Sequence, residues 1–145
     1  ADFYLKQSRG VGYASYGLLL TVLSAETGDR QHNRILDHLA FVRCEGKMDL
    51  MGLVQAQAPN LVRGSIVILI TTSGYNEAPY LVDALLHRRM NPVVIAADLS
   101  SFGDESGQKM NHANIIQLGV PLFTIKKWDH DEANKELISP VLRGR

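Results

Sequence analysis

The residues of this chain best suited to bind a ligand are three hydroxyl side chains and a glycine that follow an apolar run. Residues 66–70 are all apolar, and the group that follows them, here called the hydroxyl turn, is Thr71, Thr72, Ser73 and Gly74. A segment that is apolar at every position predicts a central strand of a parallel sheet, covered on both faces. Asn76, Pro79 and apolar residues at helical spacing predict a helix immediately afterwards. Because open α/β sheets bind ligands at the carboxyl ends of their strands, the hydroxyl turn is the first candidate site.

Anion binding is one chemistry that the hydroxyl turn suggests. Hydroxyl groups and backbone amides at the start of a helix can hold a phosphate. The order of strand, hydroxyl-rich turn and helix resembles the phosphosugar-binding loops of sugar isomerase domains. A module that binds a phosphosugar or another anion through Thr71, Thr72 and Ser73 is therefore our alternative function, although no lysine or arginine lies near the turn in the sequence.

Catalysis at the hydroxyl turn has less support. A serine nucleophile on a strand-to-helix elbow needs the pattern Gly-x-Ser-x-Gly, whereas Ser73 is preceded by Thr71 at the first glycine position and followed by Tyr75 at the second. The simpler interpretation is that the hydroxyls cap the following helix. The five histidines are scattered without the spacing of a metal site. We therefore predict no catalytic residue, no metal and no cofactor, and we rank a Ser73 hydrolase last.

Composition argues against several classes of partner. Fifteen basic side chains balance fifteen acidic ones, and the pairs Arg88-Arg89 and Lys126-Lys127 are typical of solvated surface, so we expect no nucleic-acid binding. No segment approaches the ~20 apolar residues of a membrane helix, so we expect no membrane insertion by this segment. The single cysteine, Cys44, forms no internal disulfide and fits a reducing compartment, and we expect a cytoplasmic location.

Apolar periodicity predicts alternating elements around the hydroxyl turn. The predicted strands cover residues 11–16, 18–23, 66–70, 92–97 and 120–125, and the predicted helices cover residues 1–8, 30–43, 49–58, 113–118, the segment after Asn76 and a segment from Asp131 onward. The buried stripe of the helix over 30–43 is expected to contain Ile35, Leu36, Leu39 and Val42. This order predicts one α/β domain over residues 1–145. Its architecture would be a three-layer α/β/α sandwich with a mostly parallel open sheet and one antiparallel edge hairpin, a Rossmann-like arrangement.

A set of ordered landmarks resembles a bacterial family known as domain of unknown function fifty-eight. The landmarks are residues 12–17, 26–31, 35–36, 63–65, 98–103 and 119–121. Domains of this family are similar to the von Willebrand factor A domain, an open α/β sheet with one antiparallel edge hairpin. The resemblance implies a non-catalytic protein–protein interaction domain of a larger bacterial protein. It also implies partnership with a MoxR-type AAA ATPase and an anchor in the inner membrane elsewhere in the full-length protein.

The resemblance also implies a metal-ion-dependent adhesion site, and the sequence departs from its pattern. Such a site takes oxygen ligands from an Asp-x-Ser-x-Ser turn, a threonine and an aspartate. The threonine position falls at Met48 and the aspartate position at Ser73. The segment from Asp98 through Ser100 to Phe102 imitates the first motif but follows a different strand. We therefore expect a degenerate site without metal, with partner contacts at the hydroxyl turn, Asp98 and Ser100.

The same resemblance implies that the chain is a fragment that starts inside the first helix of the domain. The absent first strand would lie between the strands over 11–16 and 66–70, leaving an unpaired edge on each. Either those two strands pair directly, or another segment or a second copy fills the gap. We expect self-association through these edges.

Overall fold

The protein is mixed α/β, with one antiparallel strand pair and one parallel three-stranded sheet. The computed structural model describes residues 1–43, 45–72, 76–103 and 112–127. The chain divides into two compact units, Ala1–Pro59 and Asn60–Arg145, and each is considered by itself. The antiparallel pair belongs to the first unit and the parallel sheet to the second.

The first unit is a hairpin accompanied by three helices. Its elements are α1 (Asp2–Lys6), β1 (Val11–Tyr16), β2 (Leu20–Glu26), α2 (Gly28–Phe41) and α3 (Leu50–Gln57), which is followed by a 3-10 turn over Ala58–Asn60. β1 and β2 pair antiparallel, and the register shifts between Val11 and Tyr13. Asp49 caps α3, since its Oδ1 accepts a 2.7 Å hydrogen bond from the Gly52 amide.

Two expectations for this unit are wrong. The second strand spans Leu20–Glu26 instead of 18–23, because Gly17 to Leu19 form the turn and the Gly17 amide bonds to the Leu19 carbonyl at 3.3 Å. Leu36, Leu39 and Val42 are about half exposed instead of buried. Val42 also lies beyond the last residue of α2. The buried positions of α2 are Gln31 and Ile35, one turn apart, so a narrower face of the helix than expected packs inward.

The second unit is built on the parallel sheet. Its elements are β3 (Ile66–Thr72), α4 (Ala78–His87), β4 (Asn91–Ala97), a 3-10 turn (Leu99–Phe102), α5 (His112–Gln117) and β5 (Leu122–Ile125). The strand order is β3-β4-β5, with Ile66 opposite Asn91 and Val94 opposite Leu122. The helix expected from Asp131 lies outside the described residues.

Both described helices of this unit lie on the same face of the sheet. Two right-handed crossovers that advance in one direction place their helices on one side, and α4 contacts β4 and α5 while α5 contacts β5. The core of this layer consists of Leu69, Leu81, Val82, Leu85, Val94, Ala96, Ile115 and Val120. Two layers are therefore visible in the described part of this unit.

The expectation that residues 66–70 form a central strand covered on both faces is wrong. β4 is the central strand, and β3 pairs with β4 alone in the described sheet. Leu69 is buried beneath the helices, whereas Ile66, Ile68 and Ile70 point to the other face and are exposed. Nor does β3 pair directly with β1, since the two strands belong to different sheets. A wholly apolar strand is thus left at an edge.

Pro92 lies in the central strand, where a missing amide hydrogen normally breaks the ladder. Asn91 donates its amide to the Ser65 carbonyl on the β3 side, and Val94 donates to the Pro121 carbonyl on the β5 side. Since backbone groups alternate along a strand, the missing hydrogen of Pro92 would point toward β5. β5 pairs only from Val94 onward, so no described ladder bond is lost.

A buried glutamine holds the irregular end of the hairpin. Gln31 is fully buried, and its Nε2 donates to the Val11 carbonyl at 2.7 Å and to the Ser24 carbonyl at 2.9 Å. These two carbonyls lie on opposite strands at the register shift. The side chain of Arg34 lies 3.4 Å from the Gln31 Oε1 and 3.1 Å from Glu26. One amide therefore ties α2 to both strands.

Replacing Gln31 by methionine should lower the free energy of unfolding by about 1–3 kcal/mol. The substitution keeps the length of the side chain but leaves the Val11 and Ser24 carbonyls without this donor, and burial of an unpaired polar group has that order of cost. Urea unfolding followed by circular dichroism measures the change. Asn33→Ala, on the exposed side of the same helix, is the control and should stay within about 0.5 kcal/mol. Equal stability of Gln31→Met and the unmodified chain would contradict this role.

Candidate functional site

The candidate site lies at the carboxyl edge of the parallel sheet. Thr71 and Thr72 are the last residues of β3, with Thr71 half-buried and Thr72 exposed. Thr72 pairs with Ala97, the last residue of β4, and Asp98 follows directly. The structure therefore brings the threonines and Asp98 to the same edge. Ser73 and Gly74, the other residues predicted for the hydroxyl turn, lie outside the described residues.

A tight turn holds Asp98 after β4. Its Oδ1 accepts the Ser100 hydroxyl at 2.6 Å and the Ser100 amide at 3.1 Å. Its backbone carbonyl accepts the Ser101 hydroxyl at 2.7 Å, and its own amide donates to the Ile125 carbonyl at 2.8 Å. The turn ends at Gly103, which has a φ of 94° that suits glycine. Asp98 and Ser100, predicted together from the sequence, thus form one hydrogen-bonded unit.

The electrostatics of Asp98 follow from these contacts. The Ser100 hydroxyl lowers the pKa of the Asp98 carboxyl below its usual range, and partial desolvation opposes this shift. The Ser100 and Ser101 amides and the positive charge of Lys126 lower the pKa further. The carboxylate is therefore charged, and Ser100 already engages one of its oxygens.

The third strand supplies groups that the sequence did not associate with the site. The Lys127 amide donates to the Ser101 hydroxyl at 3.0 Å, so the chain leaving β5 is tied to the turn after β4. Lys126 is near enough to Asp98 to influence its pKa. Both lysines are exposed, which confirms the prediction of solvated surface, but the sequence did not place Lys126 near Asp98. The predicted topology could have indicated this proximity, because parallel neighbouring strands bring their carboxyl ends together.

The start of α4 differs from the expectation that hydroxyls cap it. The N-cap residue is Glu77, whose side chain accepts no capping hydrogen bond from the helix amides, and Pro79 lies in the first turn as predicted. Thr71 and Thr72 precede this cap by at least five residues, so for them the capping expectation is wrong. The acidic Glu77 at the helix start also weakens the case for an anion at that position.

The metal-site positions suggested by the resemblance lie in different parts of the chain, and one of them, Ser73, is outside the described residues. Met48 lies in the first unit, in the segment just before α3, whereas Asp98 lies in the second. Within the described ranges there is no group of three or more His, Cys, Asp or Glu side chains arranged to hold a metal ion. The absence of metal stays a prediction.

Comparison of the chain with protein-family models, with curated proteins and with solved structures gave no match. The described residues also include no helix with the length and apolarity needed to cross a membrane.

We expect Ser100→Ala to raise the pKa of Asp98 toward its usual value, because the strongest hydrogen bond to the carboxylate is removed. An NMR titration of the Asp98 carboxyl carbon measures the shift. Ser101→Ala is the matched control, since its hydroxyl donates to the backbone carbonyl of Asp98 and not to the carboxylate. An equal pKa in the Ser100 variant and the unmodified chain would contradict the assignment.

The direction of the pH effect on stability follows. A carboxyl whose pKa is lower in the folded state stabilises that state above its unfolded pKa of about 3.9. That contribution is lost as the pH falls through the folded value. Ser100→Ala should therefore unfold more easily than the unmodified chain near neutral pH, and the part of the difference due to Asp98 should disappear in acid.

Proposed function

We propose that this chain is a non-catalytic protein–protein interaction domain whose partner binds at the carboxyl edge of the parallel sheet. The contacting residues would be Thr71, Thr72, Ser73, Gly74, Asp98 and Ser100. The observation that carries the proposal is the Asp98 turn, where Ser100 satisfies a charged carboxylate with two hydrogen bonds and Ser101 ties the turn to β5. A pre-ordered, exposed carboxylate suits recognition of a basic or hydrogen-bonding group on a partner.

The chemistry of this edge favours binding over bond cleavage. General acid–base or nucleophilic catalysis needs a second group within hydrogen-bond reach of the first. The described partners of the Asp98 carboxylate are the Ser100 amide and hydroxyl, with no histidine or second carboxylate among them. The Ser100 hydroxyl donates a hydrogen bond to the Asp98 carboxylate, which stabilises the charged form of that carboxyl.

The resemblance to the domain-of-unknown-function fifty-eight family supplies the wider context of the proposal. In this interpretation the chain is part of a von Willebrand factor A-like, three-layer domain of a larger bacterial protein. Its metal-ion-dependent adhesion site is degenerate and holds no metal. The domain faces the cytoplasm, the full-length protein is anchored in the inner membrane, and the partner is a MoxR-type AAA ATPase. The presence of both a parallel sheet and an antiparallel hairpin supports this interpretation at the level of fold class.

Anion binding is the second candidate because of Lys126. The sequence alone offered no cation near the hydroxyl turn, whereas the fold brings Lys126 to the same edge of the sheet as Thr72 and Asp98. A phosphosugar would contact the threonine hydroxyls and this lysine. The negative charges of Asp98 and Glu77 at the same edge oppose such binding, which is why we rank it second.

The interaction role predicts that the immobilised chain captures a bacterial MoxR-type AAA ATPase. The double variant Thr72→Ala/Asp98→Ala should weaken capture by about tenfold or more, which corresponds to ~1.4 kcal/mol. Surface plasmon resonance gives the dissociation constants. Asp37→Ala removes an exposed carboxylate on α2 in the other unit and should bind normally. Failure of the unmodified chain to bind would refute the partnership, and undiminished binding by the double variant would refute the surface.

Thermal shift with glucose 6-phosphate tests the second candidate. If the hydroxyl turn binds phosphosugars, the ligand should raise the melting temperature, and Thr72→Ala or Lys126→Ala should reduce that increase. Under the favoured interaction role we expect no increase at millimolar ligand. Free glucose is the control, because it lacks the phosphate that the turn would recognise.

A further inference from the structure

One long side of β3 has no strand beside it in the described part of the sheet. The strand pairs with β4 along all seven of its residues, from Ile66 opposite Asn91 to Thr72 opposite Ala97. The Ser65 carbonyl accepts from Asn91, so the backbone groups of Val67, Leu69 and Thr71 also point toward β4. The amides and carbonyls of Ile66, Ile68, Ile70 and Thr72 consequently point outward.

This edge lacks the features that keep exposed strands from pairing. Natural edge strands carry charged residues, proline or a bulge, or are very short. β3 has seven residues with none of these charges or prolines, and its register with β4 is regular throughout. Its open face is apolar as well, since Ile66, Ile68 and Ile70 are 42%, 41% and 71% exposed. Both the backbone edge and the adjoining side chains are therefore available to another strand.

We propose that the occupant is β3 of a second copy of this chain, paired antiparallel about a two-fold axis through Leu69. Ile68 then faces the partner's Ile70, and Ile66 faces the partner's Thr72. These are the residues whose backbone groups point outward on both copies, as hydrogen-bonded pairs of an antiparallel ladder require. This register uses the full length of each strand. The two three-stranded sheets become one continuous sheet.

The side chains fit this arrangement. Successive pairs in the ladder place Ile68 and Ile70 of both copies on the open face around the two-fold axis, so these isoleucines pack together across the interface. On the helix-covered face Leu69 meets the partner's Leu69, continuous with the core of each sheet. The interface thus joins apolar surface on both faces of the new strand pair.

Charge favours the antiparallel arrangement over the parallel one. Arg63 and Arg89 flank the amino end of the β3–β4 pair, whereas Glu77 and Asp98 flank its carboxyl end. Antiparallel pairing places Arg63 and Arg89 of one copy beside Glu77 and Asp98 of the other, and parallel pairing would place these like charges together. Lys126, which lies near Asp98 after β5, offsets part of this preference. The whole chain has a formal net charge of zero, so no long-range repulsion opposes association of two copies.

The β3 edge is separate from the carboxyl edge that the proposed ATPase partner would use. Failure of the ATPase capture would therefore leave the strand pairing intact, and a chain that does not dimerise would leave the ATPase proposal intact. In the von Willebrand factor A-like interpretation the first strand of the domain would occupy this edge, so the pairing is proposed for the chain of residues 1–145 by itself. The pairing also narrows the expected self-association from unpaired edges in general to one strand, one orientation and one register.

Sedimentation velocity of the 145-residue chain over a concentration series tests the proposal. We expect a monomer–dimer equilibrium. Ile68→Lys and Ile70→Glu should each raise the dissociation constant by at least about tenfold, because each copy then buries an unpaired charge against isoleucine. An equimolar mixture of the two variants should dimerise again, since the introduced lysine of one chain and the introduced glutamate of the other become direct neighbours only in this register.

Ile116→Lys is the control, because it adds the same charge at an exposed isoleucine on α5, away from the β3 edge, and should dimerise normally. Far-ultraviolet circular dichroism and melting temperature establish that every variant is folded. A monomeric unmodified chain at all concentrations, dimers undisturbed by Ile68→Lys, or a mixture that stays monomeric would each overturn the proposal. A monomeric chain that instead binds an added apolar β-strand peptide would assign the edge to a different protein.

Discussion

The one-directional strand order β3-β4-β5 is the constraint on which the rest of the second unit depends. Each parallel connection must cross over with the right hand, so both crossings carry their helices to the same side of the sheet. Leu69, Val94 and Ala96 are buried beneath those helices. The same rule leaves the isoleucines of β3 on the other side, at an edge where the ladder stops. Within β3, the burial of Leu69 and the exposure of the three isoleucines are therefore two results of the same strand order.

The carboxyl edge of this sheet owes its order to the same parallel arrangement. Three strands end side by side, and the segments that leave them are joined by hydrogen bonds of Asp98, Ser100 and Ser101. The carboxylate is charged, and Ser100 bonds to one of its two oxygens. The proposed recognition of a partner requires only that the carboxylate be charged and held in a fixed position.

The first unit shows a different means of stabilisation. Its two-stranded hairpin is too small to be stable by itself, since isolated hairpins are marginal in water. Gln31 compensates at the irregular end of the hairpin by bonding to a carbonyl on each strand from the buried face of α2. This leaves Leu36 and Leu39 on a half-exposed part of the same helix. A polar residue that the apolar pattern did not predict to be buried is thus one of the two buried residues of α2.

The sequence by itself determined the mixed α/β class, the strands over Val11–Tyr16 and near Ile66 and Pro92, and the start of α3 next to its cap Asp49. These features depend on local propensity, caps and short-range hydrogen bonds, which neighbouring residues specify. Only the tertiary structure decided that β4 and not β3 is central, that Gln31 is buried, and that Lys126 approaches Asp98. A run that is apolar at every position has no polar face, so the sequence does not reveal which of its faces are covered. Residues far apart in the chain come into contact only after the strands have taken their positions in the sheet.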